Sequence, residues 1–458
     1  MRTRGLCSWV LLFTGAAAGF ALPCCTADHG PATDLPGTRP ETEWQDLRGI
    51  IHAHSIYSHD ACDGNPVGNT ECLMQLREAL CATRQDYLLL TDHRAAFAES
   101  EFPDVLLSLP DEGDQLLSDS EGRPFANRIP CPDGSPVTLM AGTENSIMPL
   151  HLHRHPPGTV ADRNALYGRR DPAAVAPLRE LGASVVVSHS EGWTPQELIE
   201  FAPDGIEIFN LHAAIDPDLR PLLGVDPWSF LGDLLTFLAD PEQPDPDRMI
   251  MTFWPETQAW TERWDALLAV QRCYGVAATD AHRNTLPFDL SDGDRADSYR
   301  RMMQFFSNHL LARDGSPEAI EAALDAGRGY AAFDFLAKPT GFAFYAADGA
   351  TRYDMGGEVA WRPGLSLHVK RPDAPEAEPP APPPSIRARL IRIDGNGSIE
   401  VAGGEDDIDY EVQPGTAAYR AEVHMVPLHL RPALGNQADR LIHEYPWIYG
   451  NPIYVRTP

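Results

Sequence analysis

Lysine is nearly missing. The 458-residue chain has two, Lys338 and Lys370, against 66 acidic residues and a formal net charge of −30. No long basic run interrupts that surplus, so nothing offsets phosphate repulsion and a nucleic-acid surface is excluded. The scarcity fits a GC-rich coding sequence in which Arg supplies nearly all positive charge. Beyond residue 25 the five cysteines, Cys62, Cys72, Cys81, Cys131 and Cys273, show no CxxC spacing, which excludes a zinc-finger-like site. No loop has the EF-hand pattern, and no repeat of short fixed period is visible. Apolar residues make up 43% of the chain and charged residues 22%, as in ordinary globular proteins, and the length suits one large domain plus a smaller one.

The N-terminus reads as a targeting segment. Arg2 and Arg4 precede an apolar stretch from Leu6 to Leu22, too short and too early for a permanent transmembrane helix. Leu22-Pro23-Cys24-Cys25 resembles a bacterial lipobox, and cleavage after Gly19-Phe20-Ala21 is the competing reading. Residues 1–25 are therefore expected to be a signal peptide of lipoprotein type and 26–46 a Pro-rich tether. The expected location is the periplasm or the outer membrane of a bacterium, with membrane attachment through an N-terminal lipid. Export makes a disulfide plausible, with Cys62 paired to Cys72 or Cys131 as candidates.

From Leu47 short apolar runs alternate with helical stretches. The runs are Gly49 to Ile51, Tyr87 to Leu90, Val137 to Met140, Ser184 to Val187, Gly205 to Phe209 and Gly275 to Ala278. The helices are expected at Glu71 to Arg84, Ala173 to Leu181, Pro195 to Phe201, Trp228 to Leu238, Gln258 to Cys273, Ala296 to Ala312 and Pro317 to Ala326. That alternation predicts βα units around a parallel sheet or barrel. After Gly329 strand-like runs dominate, predicting a small, mostly β domain over 336–458 with a mobile Pro-rich loop at 371–385.

Each apolar run ends in residues able to bind a metal: His52-Ala53-His54, Thr91-Asp92-His93, Gly142-Thr143-Glu144, Ser188-His189, Glu207 to Asn210, and Thr279-Asp280-Ala281-His282. His59-Asp60 and His151-Leu152-His153-Arg154-His155 lie close by in sequence. Parallel βα units gather their C-terminal strand ends on one face, so these groups are expected to converge there. Ten of the sixteen histidines fall between residues 52 and 282, which turns an unremarkable single strand-end His into a set. Imidazole with carboxylate suits Zn, Fe or Mn better than Ca.

The ordered elements His52-x-His54…Asp60, Thr91-Asp92-His93, Gly142-x-Glu144, Ser188-His189 and Asp280-x-His282 resemble the motifs of the PHP (polymerase and histidinol phosphatase) superfamily over residues 47–335. The closing segments Pro446-Trp447-Ile448 and Asn451 to Val455 resemble the tail of its CehA/McbA-like branch. The resemblance implies a distorted (β/α)7 barrel holding two or three divalent ions. It implies ligand roles for His52, His54, Asp60, His93, Glu144, His189, Asp280 and His282. Either His59 or Asp60 supplies the ligand after the first pair, Asp60 being preferred. His151, His153 or His155 supplies the one after Glu144, in that order of preference. Asp92 would orient a ligand or simply cap a turn.

Three functions are consistent with this set. The first is an exported phosphoesterase using a metal-bound hydroxide on a small anionic or ester-like substrate, with Asp280 or a nearby His relaying the proton. In this reading Arg94 and Arg283 contact a substrate anion; otherwise they are solvated counter-charges. The second is a carbamate, ester or amide hydrolase on the same metals, with Trp193 or Trp254 either lining an apolar pocket or packing in the core. The third is a non-catalytic metal-binding surface protein.

Overall fold

The computed structural model describes residues 44–64 and 68–457. The expected signal peptide and most of the tether lie outside the described residues. Residues 45 and 46, expected in the tether, already belong to the first strand. Among the described residues no helix is long and apolar enough to cross a membrane.

The strands of the larger sheet, in chain order, are β1 (Gln45–Ala53), β2 (Tyr87–His93), β3 (Gln115–Ser118), β4 (Pro124–Pro130), β5 (Pro136–Glu144), β6 (Met148–Leu150), β7 (Ser184–Val187), β8 (Gly205–Asn210), β9 (Tyr274–Ala281), β10 (Ser307–Ala312) and β11 (Gly329–Ala332). Parallel ladders join them in the order β5-β2-β1-β9-β8-β7. β4 adds antiparallel to β5, and β6 antiparallel to β7. The runs Tyr87 to Leu90 and Val185 to Val187 are apolar throughout because both faces of these strands are covered. Alternate residues go to opposite sides. Ile50, Leu88, Leu139 and Val185 pack into the larger apolar cluster. Ile51, Leu89, Met140, Val186 and Val276 pack into a second one, which also takes Ile320 and Leu324 of the helix Pro317–Asp325. Each fully buried Leu or Ile contributes about 1.5–3 kcal/mol by leaving water.

The segment 296–312 departs from expectation. A one-turn helix, Tyr299–Met302, gives way to β10, which zips antiparallel onto residues 45–49 of β1 and onto β11. The early half of β1 has no β9 partner, and that free edge overrides the local helical pattern. The Asn308 side chain bridges the fork, donating to the Ala277 carbonyl and accepting from the Ala277 N–H. The helix from Gln258 also stops early, at Leu268.

The later strands are β12 (Ala343–Asp348), β13 (Thr351–Asp354), β14 (Glu358–Ala360), β15 (Ser366–Lys370), β16 (Ser385–Asp394), β17 (Gly397–Gly404), β18 (Ile408–Glu411), β19 (Ala417–Val426), β20 (Tyr445–Gly450) and β21 (Ile453–Arg456). β12, β13, β15 and β18 make a separate four-stranded sheet. The others extend the first sheet through β11, β20 and β19. Among the described residues these strands form a large, branched mixed α/β sheet, and no ladder closes the seven-unit barrel expected from the sequence. The tail 446–455 forms β20 and β21. There Asn451 accepts from Gly275 N–H and the Tyr454 hydroxyl accepts from Cys273 N–H, pinning the start of β9. Cys62 pairs with Cys72, Cys81 pairs with Cys131, and Cys273 is free and buried.

Candidate metal centre

The C-terminal ends of the parallel strands meet at one face. β1 delivers His52 and His54, β2 His93, β5 Glu144, and β9 Asp280 and His282, while His189 comes two residues after β7. His52, His189 and Asp280 have left-handed backbones, at φ +64°, +47° and +47°. For non-glycine residues such conformations cost about 1–3 kcal/mol each and persist only where the surroundings hold them. The twist at His52 accompanies a register break between Ile51 and Ala53 in the β1–β9 ladder. His52 and His54 thus reach one space through a kinked strand end rather than through plain alternation.

A pattern runs through the imidazoles: one ring nitrogen is held by an oxygen on the outside and the other is turned inward. His52 Nδ1 lies 2.6 Å from Glu207 Oε1, and His54 Nδ1 lies 2.9 Å from the Ser58 hydroxyl. That hydroxyl donates to Asp92, so it accepts from His54. His189 Nδ1 meets Glu191 Oε1 at 2.8 Å, His282 Nδ1 meets the Asp280 carbonyl at 2.8 Å, and His212 Nε2 meets Asp216 at 3.1 Å. Such outer partners fix the tautomer and leave the inner nitrogen as a lone pair, the arrangement typical of metal-ligating histidines.

The inner atoms converge. His52 Nε2 and His54 Nε2 are 3.1 Å apart, and Asp280 Oδ1 lies 3.3 Å from the first and 3.1 Å from the second. Three acceptors so placed repel one another unless positive charge sits among them. A proton on His52 can supply it: burial alone would push this imidazole down, but Asp280 and Glu207 outweigh burial and hold its pKa at about 10. A divalent ion can supply it as well. The separations approach the about 3.4 Å edge of a tetrahedron of zinc–ligand bonds. His189 Nε2 stands 3.1 Å from Asp280 Oδ2 on the other side of the carboxylate.

A second lobe lies beside the first. His93 bridges Glu144, at 3.0 Å through Nδ1, and Asp60, at 3.1 Å through Nε2. His282 Nε2 faces Asp60 Oδ1 at 3.6 Å, and both atoms are buried without a hydrogen-bond partner. His54 stacks on His282 at 4.2 Å between ring centroids, so the lobes are continuous. An imidazole nitrogen left without a hydrogen bond and facing a carboxylate oxygen that His93 also approaches, in a set of imidazoles and carboxylates, fits a divalent ion. The groups able to hold one are His54, His93 and His282; His52, His54 and Asp280; His59, Asp60 and His93; and His212, Asp280 and His282.

Asp92 lies behind the ring of histidines. Its carboxylate accepts from the Ser55 N–H, the Ser55 hydroxyl and the Ser58 hydroxyl, and reaches His54 only through Ser58. Burial pushes its pKa above the usual carboxylate range, against the pull of those donors. His59 stands at the solvent rim, 3.7 Å from Asp60. The Cys62–Cys72 bridge ties the chain two residues after Asp60 to the helix Thr70–Ala82.

Other expected residues lie elsewhere. His151 and His153 are at the opposite end of the sheet, among Glu321 and Asp325, because β6 runs antiparallel and delivers the residues after it to the N-terminal ends of its neighbours. His155 binds the Tyr167 hydroxyl and the Ser100 carbonyl. Arg94 sets its guanidinium against Gly168, and Arg283 pairs with Asp63 at 3.9 Å. Trp193 packs on Phe201 under Arg170, and Trp254 stacks on Phe209, so both are core residues.

Nothing in the sequence marked Glu191 or His212 as site residues, and Glu207 stood there only as a possible ligand at a strand end, not as the partner of His52. Glu207 is fully buried in β8 and also accepts from the His189 N–H and from Asn210. Its signal was a charge inside an otherwise apolar strand, which the interior tolerates only when paired.

Among solved structures, the chain is similar to a two-domain protein containing a predicted PHP-like metal-dependent phosphoesterase from Bacteroides vulgatus ATCC 8482. The identity is 13% and the TM-score 0.31, over 88% of this chain and 95% of that one. No family model matches the chain, and no curated protein matches it. A likeness at that level fixes neither fold nor function, and the functional reading rests on the side chains of the centre.

Proposed function

We propose that this chain is an exported hydrolase that works with two or three divalent ions, of the Mn, Fe or Zn class, on a small phosphoester. The observation that carries the reading is the trio of His52 Nε2, His54 Nε2 and Asp280 Oδ1, three acceptors at 3.1–3.3 Å whose outer partners leave them all facing inward. His52, His54, His189 and Asp280 would hold one ion, and Asp60, His93, Glu144 and His282 the neighbouring one. Ions bound there would supply Lewis acidity, lowering the pKa of water and polarising a phosphoryl oxygen.

The chain's own groups do the rest. Glu207, Ser58 and Glu191 orient His52, His54 and His189 and keep their protons on the outward nitrogens. His212 is half-open to solvent, backed by Asp216, with Nδ1 3.7 Å from Asp280 Oδ2. It is the group placed to take up a proton at Nδ1 and pass it outward. His59 marks the open rim by which substrate enters. Two disulfides support the exported location, since such bridges persist in oxidising compartments.

The test is turnover of p-nitrophenyl phosphate, a bis(p-nitrophenyl) phosphodiester and p-nitrophenyl carbamate and ester probes by the metal-loaded full chain. Phosphoester turnover that is lost on chelation and in His212→Gln, with ion content retained in that variant, supports the reading. Preference for the carbamate or ester probes would transfer the same centre to carbonyl chemistry. Bound ions with no turnover of any probe would leave a metal-binding protein.

A further inference from the structure

We propose that His151 Nδ1, His153 Nε2 and Glu321 form a second divalent-metal site of zinc type, separate from the first centre and at the opposite end of the sheet. It would staple the segment after β6 to the helix Pro317–Asp325. The inference does not depend on the hydrolase reading.

The placement comes from two independent periodicities. His151 and His153 are two residues apart just beyond β6, and Glu321 and Asp325 are four apart on one face of the helix. His153 Nε2 lies 2.7 Å from Glu321 Oε1. His151 Nε2 lies 3.3 Å from Asp325 Oδ1, while its Nδ1 looks toward Glu321 Oε1 at 3.8 Å, beyond hydrogen-bond reach.

Plain hydrogen bonding explains part of this and leaves one atom over. His151 is 1% exposed, and its Nδ1 is buried with no partner. An orphaned buried ring nitrogen is costly, and here it points at a carboxylate oxygen already shared with a second imidazole. With the Nε2 proton given to Asp325, His151 Nδ1 is a lone pair. It then repeats the arrangement of the first centre, with an outer carboxylate fixing the tautomer and an inner nitrogen aimed at a common point. One ligand atom from each of His151, His153 and Glu321 lies within 4.8 Å of the other two.

The His153 ring also has space reserved for it. Gly182 adopts φ +92°, and a Cβ there would come within 3.0 Å of His153 Cδ2. Two imidazoles and a carboxylate are a donor set suited to Zn2+, with water completing four-coordination on the side where His153 is open to solvent. A dication balances the charges of Glu321 and the exposed Asp325.

The experiment uses the full chain carrying Asp280→Ala and His93→Ala, which removes a ligand from each lobe of the first centre. The protein is loaded with Zn2+ or Co2+, dialysed, and measured by elemental analysis, visible absorption of the cobalt form and thermal unfolding. The expected result is about one ion per chain retained, the intense absorption of four-coordinate cobalt, and a Tm raised by Zn2+. Adding Glu321→Gln or His153→Ala should remove all three, weakening affinity by on the order of a hundredfold or more. If the double variant fails to fold, the same two substitutions in the wild-type chain should lower ion content by about one per chain. An ion content unmoved by both Glu321→Gln and His153→Ala overturns the site. So does a folded double variant that retains no ion. Hydrolase activity enters none of these readouts.

Discussion

The two ends of the parallel sheet carry the same residue types in the same spacing. At one end His52-x-His54 meets Asp280, and at the other His151-x-His153 meets Glu321. Strand direction separates them. β1 runs with its neighbours and brings its pair to the face where β2, β5, β7 and β9 also end. β6 runs against β7, so its pair arrives at the other face, next to a helix that plugs the apolar interior. The difference teaches that a ligand motif in a βα chain must be read with the sign of its strand. The crowding also differs: the first end gathers inward-facing acceptors from many strands, the second from one loop and one helix.

Removing the shared ligands of the first end should have the largest effect. Asp280→Ala and His52→Ala are each expected to abolish tight metal binding there and to lower hydrolysis by on the order of a thousandfold, as loss of a principal electrostatic stabiliser does. Elemental analysis beside probe turnover checks both. Near-normal turnover in either variant would break the asymmetry between the ends.

Glu207→Gln leaves shape unchanged but weakens the acceptor that holds His52 Nδ1 and the His189 N–H. Metal affinity should fall about ten- to a hundredfold, read by competition with a chromophoric chelator. Asp92→Asn acts through one more intermediary, Ser58, and should cost roughly tenfold at the lower edge of the same range. An effect as large as that of Glu207→Gln would mean that Asp92 does more than hold Ser58.

The smallest effect concerns His155, which was the last of three alternatives for one ligand position and bonds Tyr167 and Ser100. Burial, aided by Arg163, lowers its pKa to about 4. The folded state therefore keeps it neutral, while the unfolded chain takes up a proton below about 6.5. Its contribution to stability is present in full above that value and is lost as pH falls toward 4. Denaturant melts of wild type and His155→Gln across that window should show a shallower pH slope in the variant.

Much of this was legible in the sequence because apolar runs buried on both faces are conspicuous, and a polar residue that ends one is more so. Ser184 to Val187 and Pro195 to Phe201 coincide with their elements, and His52, His54, Asp60, His93, Glu144, His189, Asp280 and His282 do come together. The misplacement of His151 was avoidable. Only the three residues 145–147 separate β5 from β6, and a parallel crossover needs a dozen or more. Other features were not local. β10 is a strand because β1 offers an edge from far away in the chain, and the choice of Cys72 over Cys131 for Cys62 depends on how the helix Thr70–Ala82 packs. Glu207 matters because of a histidine on another strand. The branched sheet arises from pairings that no single stretch of sequence records.

The most direct test of the central claim is the ion content of the full chain after loading with Mn2+, Fe2+ or Zn2+ and exhaustive dialysis, measured beside Asp280→Ala. Ions retained by the wild-type chain and reduced by about one per chain or more in a folded Asp280→Ala protein are the predicted result. A wild-type chain that keeps none, or an Asp280→Ala chain that keeps as many, would contradict a metal centre at the C-terminal strand ends.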